Sequence, residues 1–493
     1  MSEQSAASEA PAAESGPKSP SFSRQAVWNY AIFALSKSTT LIMTVVLARL
    51  LGPTDFGLFA LALLVMTFFD YVRDLGVAVA LIQREGRWSD IAPTGLTLTV
   101  GFGLAIGGGA LLAAPLAADL FGDDRLTPLV RVLAIGLLIS ALSVLPVAAL
   151  RRRLDYRSRL LPEFLGAVTK AGVAIGLAVA GYGVWSLVWA QLASSLITTA
   201  MYWMVARTPI RFGLDRRLAR DLIRFGMPVT AVAFLSFVVF NTPTAAIGRE
   251  LGAEQLGFYS LAYRLPELLV LNLCMVVGDV LFSALSRLQN DRPALVDRYL
   301  STVRAMVALT APIGLGLAAV SSDAVAVLYG PAFAPAAAMS AALCVFTVFY
   351  AINFHAGDAY KAIGRPGLLT TLGVVKLIVL IPAIWVAAGV SALTAAVVMA
   401  VVEGAMTFVR LSVVRHVLGV NIRRHIAVLW APLTAAVLMA AGVWLLGNTL
   451  GALSPFWRLV VTIIAGIALY AGALRLLAPT LVTTAVDTIR RRA

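Results

Sequence analysis

Two stretches of this chain, 200 residues apart, carry one pattern. Residues 49–62 read Arg-Leu-Leu-Gly-Pro-Thr-Asp-Phe-Gly-Leu-Phe-Ala-Leu-Ala, and residues 249–262 read Arg-Glu-Leu-Gly-Ala-Glu-Gln-Leu-Gly-Phe-Tyr-Ser-Leu-Ala. Arg49/Arg249, Leu51/Leu251, Gly52/Gly252, Gly57/Gly257, Leu61/Leu261 and Ala62/Ala262 coincide. Both copies are short turns between long apolar runs. Further landmarks recur in the same order: Leu120-Phe121-Gly122 with Leu328-Tyr329-Gly330, Lys170 with Lys376, and Gly183-Val184 with Gly389-Val390. A membrane protein made of two copies of one bundle is the architecture of an alternating-access transporter.

The membrane assignment rests on composition and run length. The chain is 60% hydrophobic and only 13% charged, about half the charge of a soluble domain. Runs of about 20 apolar residues are transmembrane candidates. About fourteen fit: 27–48, 57–80, 92–114, 127–149, 162–181, 184–206, 223–246, 256–282, 302–321, 336–355, 368–388, 391–409, 426–446 and 457–477. Splitting or merging runs gives a range of 12–14. The expected fold is an all-α polytopic membrane protein. Two six-helix lobes, 24–206 and 222–415, are joined by a cytoplasmic loop, 207–221, and followed by two additional helices and a tail, 416–493. Six spans per lobe give both copies one orientation, so a pseudo-two-fold axis would run along the membrane normal. Residues 1–23 read as a disordered cytoplasmic tail. The polar stretch 284–300, with spaced leucines, reads as a helix lying at the membrane surface.

A net charge of +14 suggests nucleic acid, and its distribution argues otherwise. Basic residues cluster in alternate loops, at 151–159, 207–220, 287–298, at Lys361 and Arg365, at 410–424 and at 490–492, while the intervening loops are acidic or bare. This positive-inside pattern places both termini in the cytoplasm. Cys274 and Cys344 both lie within apolar runs and imply no disulfide framework. His355, His416 and His425 lack metal-ligand spacing, and there is no phosphate-binding Gly-rich loop with Lys-Ser/Thr. No catalytic residue, metal or cofactor is implied.

Charges within apolar spans are costly and usually face protein or water. The cations are Lys37, Arg73, Lys170, Arg264 and Lys376; the acids are Asp70, Asp74, Glu267 and Glu403. Asp70, Arg73 and Asp74 share one helical face, as do Arg264 and Glu267. Local pairing that only holds helices together is one reading. Ion coupling by the acids is the other. The three lysines have no acidic neighbour on their own helices, so each needs a partner from another helix or a wet lumen, where it would attract an anion.

The residues that follow Leu47 strengthen the transporter reading. Leu47-Ala48-Arg49-Leu50-Leu51-Gly52-Pro53-Thr54-Asp55-Phe56-Gly57-Leu58-Phe59, Asp74-Leu75-Gly76, Leu81-Ile82-Gln83-Arg84, the run Leu256 to Arg264 and the run Leu281 to Gln289 together resemble the Wzx-like polysaccharide transporters. Two departures stand out: Asn241-Thr242-Pro243 lacks the acid often found there, and Ser283 replaces a usual proline. The resemblance covers roughly residues 24–420. It implies a flippase that moves polyprenyl-pyrophosphate-linked oligosaccharide from the cytoplasmic to the periplasmic leaflet of the bacterial inner membrane, for O-antigen, capsule or exopolysaccharide synthesis. Partners implied are the lipid-linked oligosaccharide, membrane lipids, a polysaccharide polymerase and a chain-length regulator, with no nucleic acid. A drug/cation antiporter of the same fold and a polytopic polymerase or ligase are the alternatives; the short outer loops weigh against the last.

Overall fold

The structure, a computed structural model, describes residues 37–479 apart from 74, 154 and 156. The expectations for the tail 1–23, the first residues of the first span, Asp74 and the C-terminal tail lie outside the described residues. Helix follows helix, with no strand among the described residues. In the N-terminal half these are α1 (37–50), α2 (Pro53–Arg73), α3 (Val77–Gln83), α4 (Trp88–Phe121), α5 (Leu126–Ala141), α6 (Val144–Arg152), α7 (Leu160–Val179) and α8 (Val184–Ala206). Next come α9 (Arg216–Pro266), a π-helical turn (Glu267–Leu271), α10 (Asn272–Arg287), α11 (Arg292–Ala319), α12 (Ser321–Leu328), α13 (Ala336–Phe354), α14 (Ala356–Ala362), α15 (Gly367–Ala388) and α16 (Ala392–Leu418). Last are α17 (Ile422–Thr449) and α18 (Pro455–Leu477).

Among the described residues eleven helices are long and apolar enough to cross a membrane, or twelve with α5 and α6 as one span bent by 40°. The expected fourteen is not reached by this count. One apolar stretch explains part of the difference. Arg216–Met275 runs 60 residues, about 90 Å at helical rise, against a hydrocarbon core of about 30 Å. It breaks at Gly252, φ 79° and ψ −177°, a conformation only glycine adopts cheaply. Gly252 is the repeat partner of Gly52, which separates α1 from α2. The expected span 57–80 is also interrupted. Leu75 at φ 45° and Gly76 at φ 74° end α2 and start α3.

The stretch 284–300 is corrected. Its first part ends α10, and Asp291 then caps α11, accepting from the Ala294 amide at 3.1 Å, with Pro293 in the first turn. The leucines that suggested a surface helix, Leu295 and Leu300, are instead buried in the bundle. The two additional helices brace the C-terminal half. Tyr470 donates to the Ala308 carbonyl at 2.7 Å, Arg458 clamps Asp323, and Arg424 donates to Asp297 at 2.5 Å.

The two halves meet along α2 and α9, which run antiparallel. A Cβ on Gly57 would lie 1.6 Å from the Ala253 carbonyl oxygen, and one on Gly257 would lie 1.9 Å from that of Pro53. Phe68 packs edge-on against Phe234 and Phe237 further in. At the other end Gly76 and Gly226 touch backbone to backbone, since a Cβ on Gly226 would lie 2.2 Å from the Leu75 oxygen. Small residues let membrane helices approach this closely.

Candidate substrate-binding site

Polar side chains inside the bundle gather at two cavities, one in each half. The N-terminal cavity, about 260 Å³, lies among α2, α5 and α8 and is reached by Asp70, Arg73, Ser140, Gln191 and Ser195. Asp70 pairs with Arg73 at 3.1 Å, and Arg73 also donates to the Ser140 hydroxyl. Arg73 is mostly covered while Asp70 is 53% exposed. Both sit far from the start of α2: Asp70 is 17 residues beyond Pro53, about 26 Å at helical rise. The pair therefore lies in the last turn of α2. The expected face with Asp74 cannot be completed, because Asp74 lies outside the described residues.

Lys170 on α7 donates to the Gln191 side-chain oxygen at 2.6 Å, and Gln191 is itself a wall of this cavity. Arg264, from the C-terminal half, lies within electrostatic range of Lys170. Arg264 pairs with Glu267 at 3.2 Å, immediately before the π-helical turn. Pro266 leads into the widened turn, a feature frequent at functional sites. Lys37 is half-buried at the start of the described α1 and is not without a partner there.

The second cavity, about 270 Å³, is enclosed by α9, α13, α14, α15 and α16. Lys376 reaches its edge. Of the two readings for this lysine, a partner from another helix or a wet lumen, it takes the first. Lys376 is 3% exposed and its Nζ donates to Glu403 at 2.6 Å. Glu403 is fully buried and also meets Arg410 at 3.4 Å and the Asn353 amide at 3.2 Å. No water reaches Glu403, so its charge is held by two cations and an amide. This cluster leaves Arg410 at the cavity wall. Closer to the surface, Asp358 meets His355 at 3.3 Å and Lys361 at 3.2 Å. Lys361, Lys376 and Arg410 thus give three cations against the two carboxylates Asp358 and Glu403. The remaining walls are apolar or aromatic, including Phe240, Tyr350 and Phe354.

Arg410 and Lys361 were assigned by sequence to cytoplasmic loops. The signal for Arg410 was its spacing: it follows Glu403 by seven residues, two turns along the same face of α16. Lys361 and Asp358 share a face of a short helix that lies between the apolar runs 336–355 and 368–388, where the sequence reads as a loop.

The ends of the halves near Gly52 and Gly252 are held by a second, reciprocal set of contacts. Arg49 donates to the Val327 carbonyl at the end of α12, and Arg249 donates to the Leu120 carbonyl at 2.5 Å, at the end of α4. The two arginines are repeat partners, and both acceptors adjoin or belong to the repeated Leu120-Phe121-Gly122 and Leu328-Tyr329-Gly330 turns. Each arginine therefore caps a helix C-terminus in the opposite half, where unpaired carbonyls and the helix dipole favour a cation.

Known proteins match along this frame. Residues 46–338 fit the family described as Polysaccharide biosynthesis protein, which is more than half of the chain. The chain belongs to that family. It is 25% identical to the lipopolysaccharide biosynthesis protein WzxC of Escherichia coli (strain K12), across 86% of this chain and 88% of that one. It is 27% identical to the succinoglycan biosynthesis transport protein ExoT of Rhizobium meliloti (strain 1021), across 86% of each. In three dimensions it is similar to the lipid II flippase MurJ in an inward closed conformation, with TM-score 0.76 at 14% identity over 92% of this chain and all of that one. An inward-facing multidrug resistance transporter of the MATE family matches with TM-score 0.65 at 16% identity, over 80% of this chain and 98% of that one. The fold of this multi-pass membrane protein is therefore that of the MurJ and MATE transporters.

Proposed function

We propose that the protein flips polyprenyl-pyrophosphate-linked oligosaccharide from the cytoplasmic to the periplasmic leaflet of the bacterial inner membrane, with both termini in the cytoplasm. The observation that carries this reading is the excess of cations over carboxylates in an otherwise apolar and aromatic cavity. Arg410 and Lys361 offer charge-assisted donors to a pyrophosphate, and aromatic walls suit sugar faces. Lys376 and Glu403 fix Arg410 from behind. On the opposite side Arg73, Lys170 and Arg264 complete the path, and Lys37 lies on the same helix as the outer contact of Arg49. The outer contacts of Arg49, Arg249, Gly57 and Gly257 form the gate that opens when the two lobes rock about their pseudo-two-fold axis.

The energy source follows from charge. An anionic head moving out of a negative interior gains about 2.3 kcal/mol per charge per 100 mV. Asp70, half exposed beside Arg73, is the carboxylate placed to take up a proton or Na⁺ during the return of the empty carrier. Glu267 and Glu403 are paired as Asp70 is but less exposed to solvent than it, and serve structure. A polymerase and a chain-length regulator receive the flipped lipid on the outer face.

A drug/cation antiporter shares the fold, but a cationic drug would be repelled by Arg410 and Lys361. The deciding experiment is reconstitution in proteoliposomes with a fluorescent polyprenyl-pyrophosphate oligosaccharide and, separately, a cationic dye. Transport of the dye and not of the lipid would overturn the proposal.

A further inference from the structure

The segment joining the two halves carries features that neither the cavities nor the outer contacts use. Residues 207–215 are non-helical, and their apolar residues alternate with other types. Ile210, Phe212 and Leu214 are 66%, 66% and 58% exposed. The three thus leave an exposed apolar row along the strap. The strap is fixed to α4. Thr97 donates its hydroxyl to the Gly213 carbonyl at 2.9 Å, and the Asp215 amide donates to Thr94 at 3.1 Å.

That anchorage sets its depth. Helix α4 has 34 residues, about 51 Å at helical rise, so it overhangs a core of about 30 Å by about 10 Å at each end. Thr97, nine residues beyond Trp88, lies about 14 Å along the helix, at the boundary between headgroups and chains. The exposed row therefore faces lipid.

Asp215 next caps α9, accepting from the Arg217 and Leu218 amides. Arg216, Arg220 and Arg224 follow at i, i+4 and i+8, so they share a face. All three are exposed, and none makes an ion pair among the described residues. The nearby acid Asp221 is already paired with Arg84 at 3.2 Å. The arginines flank an open groove of about 610 Å³ between α4 and α9. Its apolar wall is Leu98 and Phe102 of α4 with Ile223 and Met227 of α9. No residue of this groove lines either internal cavity, and apart from the arginines its walls carry no group that could hold a sugar.

We propose that this groove holds one anionic phospholipid of the cytoplasmic leaflet as a resident and not a transported ligand. The phosphate sits between neighbouring arginines of the row and one acyl chain lies along Leu98, Phe102 and Met227. The lipid fastens α9 to α4 at the junction of the two halves.

Native mass spectrometry of the full chain, purified in mild detergent with phosphatidylglycerol or phosphatidylcholine, tests this. The wild type should retain one phosphatidylglycerol through detergent exchange and no phosphatidylcholine. A juxtamembrane arginine contributes about fivefold to anionic-lipid affinity, so R216Q/R220Q/R224Q should weaken retention about 100-fold. R216K/R220K/R224K should keep it, and R220Q alone, the milder change, should lower it about fivefold. R365Q/R415Q/R423Q, at exposed sites elsewhere, should be as wild type. Unchanged retention in the Gln triple, or equal loss in the control triple, would overturn the proposal. So would displacement of the phospholipid by equimolar polyprenyl diphosphate, which would make the groove a substrate site.

Discussion

Replacing Glu403 by glutamine separates a structural from a substrate-contacting role for the buried charges of the C-terminal half. Glu403 is fully buried and faces Lys376 at 2.6 Å and Arg410 at 3.4 Å. The substitution leaves Lys376, with its side chain 4% exposed, charged and without a counterion. Removing one partner of a buried pair costs about 3–5 kcal/mol, much of it the desolvation of the charge left behind. For a chain of 493 residues this corresponds to a fall in melting temperature of about 3–5 °C. Combining Glu403→Gln with Lys376→Met removes both charges, and by the same reasoning should recover more than half of the loss. Cys274 and Cys344 are both free and buried, so a thiol-reactive dye reports unfolding of the otherwise unlabelled protein. The double variant should still export surface polysaccharide more slowly than wild type, because Arg410 loses the carboxylate that fixes it. A Glu403→Gln protein as stable as wild type would refute the buried-pair account. A double variant that is stable and exports at the wild-type rate would show that Glu403 does not position Arg410 for substrate.

Other outcomes follow from the same contacts. Gly57→Leu and Gly257→Leu should wedge the outer ends apart, since even a Cβ would overlap the backbone opposite; labelling of Pro53→Cys from outside should then rise. Arg49→Gln with Arg249→Gln removes two charge-assisted helix caps, worth about 1.5–3 kcal/mol each, and should shift the protein toward outward opening in double electron–electron resonance distances; distances unchanged from wild type would count against the gate. Asp70→Asn should abolish any pH or Na⁺ dependence of flipping in proteoliposomes while flipping itself persists; wild-type dependence in the variant would place coupling elsewhere.

The helical class, the polytopic character and the family resemblance were legible because run length and repeat leave strong linear signals. Gly52 and Gly252 marked real breaks, one between helices and one inside a 51-residue helix. Helix ends were less legible. Asp70 lies within an apolar run yet in the last turn of α2, because Leu75 and Gly76 stop the helix there. Pairing across helices was not legible at all. Lys376 has no acid on its own helix and finds Glu403 on the next one, a contact set by packing and not by spacing. Arg410 was counted with the cytoplasmic arginines because charge distribution alone cannot separate a loop residue from one at the inner mouth of a cavity. The arginines at 49 and 249 were noticed as a repeat, yet their acceptors lie 278 and 129 residues away in the chain.

The central claim is that cations of the two halves bind the pyrophosphate of a lipid-linked oligosaccharide. Binding of a soluble analogue carrying a short prenyl diphosphate, measured by isothermal titration on the full chain in nanodiscs, tests it most directly. Lys170→Gln with Arg410→Gln removes one cation from each half. Loss of charge-assisted hydrogen bonds of about 1.5–3 kcal/mol each should weaken affinity by at least about 100-fold, while the corresponding monophosphate, with less charge to lose, should be affected less. Equal affinity of wild type and double variant for the diphosphate would contradict the account.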